Sequence, residues 1–418
     1  MFRFVPSVMP ASLRRLGLVV LACSAMALAG CGGGSRAKDY APSRMVSFGD
    51  ENSAFADIYL PDANGAAQPI KGLAYSVNSV VVTDGPFVCA HSGTTPPAAC
   101  TTDNGATFVA DTSPAEVNGF VLDIGNAAPA INYPSVVTVF EKGSEQNNSS
   151  NILQRTWKRG YLCSASNNWV KYVAMAFGFN FPNSCDSGSG AVSYAANGAH
   201  VAEIVAQVAA HQGELGDGVL VTIMGGQNDI IDLYNAVHGS PPTMTEDQAI
   251  TELKSRAAQL ARAVGVIFNS GAKVIVALTP DLGQSPLATT DGTSTLLSNL
   301  TAAFNNTFYI ENVARNYNDG RKVAGVNTSY ITDPNTRSSS YVYTTPACDS
   351  TKTVQYSNQM PSPVTSDKPA NGVLYCTSDN LATNASVSTY IWADDRHFAP
   401  AGHVQIGSTA YNRAANQF

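Results

Sequence analysis

The chain has 418 residues, of which 13% are charged, and a formal net charge of −7. That length suffices for one large domain or two ordinary ones, with a sizeable buried core. An acidic balance without a basic patch excludes a nucleic-acid partner, because phosphate neutralisation needs clustered Lys and Arg.

The first thirty residues carry Arg3, Arg14 and Arg15 and no acid, so their removal leaves 21 basic against 31 acidic residues. Arg14 and Arg15 precede an apolar run from Leu16 to Leu28 that is too short to span a bilayer comfortably. Residues 1–30 therefore read as a signal peptide rather than as fold. The segment ends Leu28-Ala29-Gly30-Cys31, which resembles a bacterial lipobox. That resemblance implies cleavage before Cys31, a lipid on Cys31 and, from Gly32 in the next position, the outer membrane of a Gram-negative cell. Residues 31–43 then form a lipidated tether, with Gly32-Gly33-Gly34-Ser35 as its flexible start. The alternative is an ordinary signal peptide with Cys31 incidental. Cys23 leaves with the leader, and six cysteines remain. An even count in an exported chain reads as disulfides. Local grouping favours Cys89–Cys100, Cys163–Cys185 and Cys348–Cys376. No C-x-x-C spacing is present, so no zinc site is expected.

Met45–Phe48 is a short apolar run ending at Gly49-Asp50, a strand meeting a turn. Residues 57–150 have a different texture: alternating or β-branched stretches at Tyr75–Thr83, Gly119–Ile124 and Ser135–Phe140, separated by Gly, Pro, Asn and Asp clusters. They read as a β-rich insertion, closed by a polar break at Gln146–Asn151. The rhythm then becomes α/β. Trp169–Phe177 and Gly198–Gln212 suit helices, and Val219–Met224 suits a buried strand. Thr245 opens a long helix with the capping-box pattern Thr-x-x-Gln, and Gly271 ends it. Lys273–Leu278 is the next strand. Helices alternating with strands imply a parallel sheet covered on both faces. The expected fold is an α/β three-layer sandwich with a mostly parallel central sheet, formed by residues 44–56 and 151–418 around the insertion. Asn318–Ser388 is irregular, and no transmembrane helix follows the leader.

Four segments carry candidate chemistry: Gly49-Asp50-Glu51-Asn52-Ser53, Ala196-Asn197-Gly198, Gly226-Gln227-Asn228-Asp229, and Asp394-Asp395-Arg396-His397. Each alone is ordinary turn or cap chemistry. Together, two lie at predicted strand ends, where open α/β sheets bind ligands, and one leads into a helix. The last supplies an acid and a histidine three residues apart. In this order they resemble the SGNH or GDSL hydrolases, above all exported bacterial esterases. Gly49-Asp50 matches the first block, Gly198 the oxyanion glycine, Gly226-x-Asn228-Asp229 the third block and Asp394-x-x-His397 the last. Thr279-Pro280-Asp281-Leu282-Gly283 also resembles a stretch of such esterases. The resemblance implies His397 as general base, Asp394 as its orienting acid, Gly198 and Asn228 as oxyanion donors, and Asp50 and Asp229 in support. It implies a small-molecule or lipid ester substrate, no cofactor and no metal. His403 reads as packing or a helix start.

One position departs from the family. The nucleophilic serine should follow Gly-Asp, and Glu51 stands there. A carboxylate puts negative charge where an oxyanion must develop. Ser53 is the nearest hydroxyl, but two helical residues turn a side chain by about 200° and advance it about 3 Å, so it would face away from His397. Three routes stay open from sequence: Ser53 as nucleophile, water activated by Glu51 with a raised pKa, or a binding or scaffold lipoprotein that keeps the pocket without the reaction.

Overall fold

The computed structural model describes residues 40–61, 67–82, 88–92, 108–109, 137–140, 154–160, 162–185, 189–315, 317, 320–350, 372–377 and 381–418. Residues 1–30, read as a signal peptide, and Cys31, Cys100 and the Gly119–Ile124 stretch lie outside these residues. Ala41–Phe418 forms one compact unit.

In chain order the strands begin with β1 (Arg44–Gly49), β2 (Phe55–Pro61), β3 (Ala67–Ala74), β4 (Val80–Val82), β5 (Val88–Ser92), β6 (Phe108–Val109), β7 (Val137–Phe140), β8 (Gln154–Gly160) and β9 (Leu162–Ser164). Then come α1 (Trp169–Ala176), β10 (Ala191–Ser193), α2 (Val201–Ala210), β11 (Val219–Met224), α3 (Gln227–His238) and α4 (Glu246–Asn269). The remainder is β12 (Lys273–Ala277), α5 (Pro286–Asp291), α6 (Ser294–Ala314), β13 (Val323–Val326), α7 (Ser329–Thr332) and α8 (Pro400–Gln417).

The central sheet has the order β10-β1-β11-β12-β13, and every neighbouring pair is parallel. Both faces are covered, which is why β11 (VLVTIM) is apolar almost throughout and wholly buried. Val46, Phe48, Val221 and Ile223 face a core shared with α2, α3, α4 and α6. The α1 and α8 helices pack together away from that core, with α8 against β12 and β13. Three layers result, and a mostly parallel sheet stands at the centre as the sequence pattern predicts. Thr245 caps α4 as expected: its Oγ1 accepts from the Gln248 N–H while Gln248 Oε1 accepts from the Thr245 N–H at 2.9 Å.

Two further four-stranded sheets, β2-β3-β9-β4 and β6-β5-β8-β7, follow β1. They run on to Ser164, beyond the break at 150 read from composition, because β8 pairs with β5 and β7, and β9 pairs with β3 and β4. Of Tyr75–Thr83, read as one stretch, the described residues up to Val82 form a bend followed by the short β4. There the side chain of Asn78 takes over the pairing, bonding Ala74 twice, Ser164 and Leu374 at 2.8–3.0 Å.

Cys163–Cys185 and Cys348–Cys376 are bonded. The second bridge matters for position. Cys348 N–H donates to Ala393 O at 2.8 Å, one residue before Asp394, and Asn78 N–H donates to Cys376 O at 2.7 Å. The bridge therefore ties the Asp394–His397 segment to the Asn78 hub. Ser76 Oγ, donating to Phe398 O at 2.7 Å, holds the other end of that segment.

Candidate active site

The four segments converge at the carboxyl ends of the strands. The β1 strand lies between β10 and β11, where the strand order reverses, and ligands of open α/β sheets bind at such a point. Glu51 follows β1, Gly198 follows β10, and Asn228 sits in the first turn of α3, straight after β11. The turns are tight enough to need glycine. Gly49 has φ +149° and a Cβ there would lie 2.4 Å from Met224 O; Gly226 has φ +108° and a Cβ would lie 2.3 Å from the Phe304 ring.

Glu51 is at the centre, with 2% of its surface exposed. Its Oε2 accepts from the Gly198 N–H at 3.1 Å and from Asn228 Nδ2 at 2.8 Å. Its Oε1 accepts from Gln227 Nε2 at 3.0 Å and lies 3.5 Å from His397 Nε2. His397 Nδ1 in turn lies 2.7 Å from Asp394 Oδ2. The other oxygen of Asp394 accepts from the backbone N–H groups of Arg396 and His397 at 3.0 and 2.7 Å. His397, also 2% exposed, is thus an imidazole between two carboxylates. Ala196–Gly198, which include one of the groups bonded to Glu51, are exposed.

These contacts set the charges. Burial lowers the His397 pKa, but Asp394, by charge and hydrogen bond, and then Glu51 outweigh it and raise it to about 10. Burial raises Glu51, yet the hydrogen bond and charge of His397 and the Asn228 amide bring it down to about 2. At neutral pH the pair is a buried carboxylate–imidazolium. Asp50, 1% exposed, is pushed well above its ordinary value by burial and by the charge of Glu51. The raised Glu51 pKa that activation of water would need is the opposite of what the donors impose.

Ser53 is not brought to His397. It is fully buried, and its Oγ accepts from Trp169 Nε1 at 3.1 Å, at the start of α1. Residues 51–53 form a turn, and this bond engages the Ser53 hydroxyl in packing against α1. Asp229 lies one step behind the pocket: its oxygens accept from the Val201 N–H at 2.9 Å and from Arg256 Nη1 at 3.1 Å. It ties the first turn of α2, just after Gly198, to α3 and α4. His403 lies buried in the first turn of α8. Two residues escaped the sequence reading. Gln227 and Asn52 are buried and belong to the same network, since Asn52 Nδ2 donates to Gln227 Oε1 at 3.2 Å. Gln227 stood in plain view as the unassigned letter of Gly-x-Asn-Asp; no local signal shows where its amide points.

A model of the GDSL-like lipase/acylhydrolase family matches residues 145–409, more than half of the chain. The chain belongs to this family of ester-hydrolysing enzymes. The chain is also similar to solved structures at low identity. An acetylxylan esterase from Geobacillus stearothermophilus is 14% identical, with a TM-score of 0.32 over 60% of this chain and 81% of that one. A member of the lipolytic G-D-S-L family from Veillonella parvula is 13% identical, with a TM-score of 0.24 over 39% of this chain and 67% of that one. No curated protein matches.

The charge pattern of this GDSL-family pocket makes stability depend on pH. His397 is raised from 6.5 to about 10, so its contribution is full below about pH 6.5 and is lost as pH rises through about 10. Glu51 is lowered from 4.5 to about 2, so its contribution is full above about pH 4.5 and is lost as pH falls through about 2. Glu51→Gln should therefore cost most between those plateaus, on the order of 3 kcal/mol for a broken buried pair. The gap to wild type should narrow towards pH 10. Thermal melts of both proteins across pH 4–10 check this, and a gap that widens with pH would contradict it.

Proposed function

We propose that this chain is an exported hydrolase of carboxylic esters that works without an acyl-serine. Glu51 stands where the family's nucleophilic serine belongs and closes the pocket at rest. In the open state, with Glu51 turned out, the Gly198 N–H and the Asn228 amide receive the carbonyl oxygen of the ester. His397, oriented by Asp394, takes a proton from water as the water oxygen attacks the carbonyl carbon. The imidazolium then returns that proton to the departing alkoxide, leaving a carboxylic acid and an alcohol. Departure of Glu51 removes one of the two negative charges that keep His397 protonated, so opening and activation of the base are coupled. The observation that carries this reading is the placement of Glu51 Oε2, which receives both oxyanion donors at 3.1 and 2.8 Å. The two donors are aimed at a negatively charged oxygen in the absence of substrate, as preorganised transition-state stabilisation requires.

A second reading, an SGNH-fold binding or scaffold lipoprotein without turnover, is favoured by the ion pair itself. With Glu51 in place, His397 holds its proton and cannot act as a base. Position 51 separates the two readings. The hydrolase reading expects slow turnover by wild type on a panel of lipid, short-acyl and acetyl esters, with no fluorophosphonate labelling. Asn228→Ala should lower that turnover about 100-fold, the effect of losing one oxyanion donor. Glu51→Ser should gain both labelling and rate, because the hydroxyl comes within reach of His397 and the opposing charge is gone. Turnover by Glu51→Ser alone would support the binding reading, and no turnover or labelling in either protein would sink the catalytic frame.

We further propose that the protein is exported and anchored by a lipid on Cys31, in the outer membrane. The leader composition supports this. So do the Cys163–Cys185 and Cys348–Cys376 bridges, which persist in oxidising compartments. Among the described residues no helix is long and apolar enough to cross a membrane. Cys31→Ser should release the mature protein from the membrane fraction or leave an uncut precursor. A correctly cut variant that stays membrane-bound would contradict the anchor.

A further inference from the structure

The donors around Glu51 outnumber what an oxyanion pocket needs. A tetrahedral intermediate presents one developing negative oxygen, and the Gly198 N–H and Asn228 Nδ2 serve that position. The second oxygen, Oε1, has a donor of its own in Gln227 Nε2 at 3.0 Å, with His397 Nε2 at 3.5 Å. The orientation of the Gln227 amide is fixed from behind. Its Oε1 accepts from Asn52 Nδ2 at 3.2 Å, so its NH2 group must face Glu51. Asn52 is locked in turn, because Asp50 Oδ1 accepts from its backbone N–H at 3.0 Å and from its Nδ2 at 3.1 Å. Gln227, Asn52 and Asp50 are all at most 1% exposed, so water does not compete for these bonds.

We propose that Gln227 turns the oxyanion pocket into a carboxylate cradle, a receptor of three donors with His397 beside them, that takes a free carboxylic acid anion in the seat Glu51 fills at rest. The ligand class follows from the shape and charge of the donor set. Two oxygens are addressed, Oε2 by Gly198 and Asn228 and Oε1 by Gln227, and His397 at 3.5 Å supplies the balancing positive charge. Charge-assisted bonds of this kind favour an anion over a neutral group of equal shape. The position of Gln227 and Asn228 in the first turn of α3 adds the favourable end of that helix's dipole. The natural occupants are then the acids that ester hydrolysis releases, which would compete with the ester for the open pocket as Glu51 does. The inference rests on the reading of Gly198 and Asn228 as oxyanion donors and of Glu51 as an occupant that can leave. It adds Gln227 as the residue that makes the seat specific for a carboxylate.

The test uses the full chain with Glu51→Ala, and acetate as the probe, with binding read by an NMR titration of the histidine signals. Acetate should bind Glu51→Ala at least tenfold more tightly than wild type, where the seat is taken. Acetamide, of equal shape and no charge, should not bind. Adding Gln227→Met should weaken acetate at least tenfold while circular dichroism stays unchanged. If that double variant does not fold, Glu51→Ala with Asn52→Ala keeps Gln227 and removes only the group that orients it, and a clear loss of acetate affinity is expected there too. Equal acetate affinity with and without the Gln227 amide would overturn its role, and a folded Glu51→Ala protein blind to acetate would overturn the cradle. Ester turnover is not part of the readout. Acetate binding in a protein that hydrolyses nothing would therefore uphold the cradle while removing the hydrolase reading.

Discussion

A carboxylate with 2% of its surface exposed has lost its water and needs donors for both oxygens from the protein. At Glu51 the groups come from three places in the chain: the turn after β10, two residues of the first turn of α3, and the segment before α8. His397, from the last of these, carries the compensating charge. An isolated buried carboxylate would sooner take up a proton than stay charged; here the donors hold it near a pKa of 2 instead. The architecture around the pocket follows from the need to bring those four groups to one point.

The parallel sheet does most of that work. Because β10, β1 and β11 are neighbours and run the same way, the residues that leave their carboxyl ends emerge side by side. Gly49 and Gly226 let the chain turn within a residue or two of the strand ends, where a side chain would strike Met224 O or the Phe304 ring. Only the histidine segment comes from elsewhere. It is held at both ends, by Cys348 through Ala393 and by Ser76 through Phe398. The second disulfide anchors it to the Asn78 hub. The ion pair that supports the fold in weak acid is also what keeps His397 protonated.

Much of this was legible in the sequence, and for identifiable reasons. Strand ends followed by Gly-Asp or Gly-x-Asn-Asp, a capped helix opening at Thr245 and an acid three residues before His397 are local patterns with one structural meaning each. Other parts had no local signature. The β10 and β13 strands have three and four residues, too short to show a period. The α8 helix contains Gly402 and Gly407, which disfavour a helix; tertiary packing overrides this, because a Cβ at Gly407 would lie 2.7 Å from Tyr172 Cβ. Gln227 was invisible because its meaning depends on Asn52, 175 residues earlier. The charge of His397 was equally hidden, since it depends on a 3.5 Å distance between residues that the sequence separates by most of its length.

The central claim is that wild-type His397 is an imidazolium locked between Asp394 and Glu51. The most direct measurement is the 15N chemical shift of both ring nitrogens in the wild-type protein, labelled at histidine and followed from pH 6 to pH 9. Both nitrogens should carry a proton throughout, with deprotonation beginning only as pH approaches about 10. A neutral ring with a single protonated nitrogen at pH 7 would mean that Glu51 and His397 do not form this ion pair in solution, and the account built on it would fall.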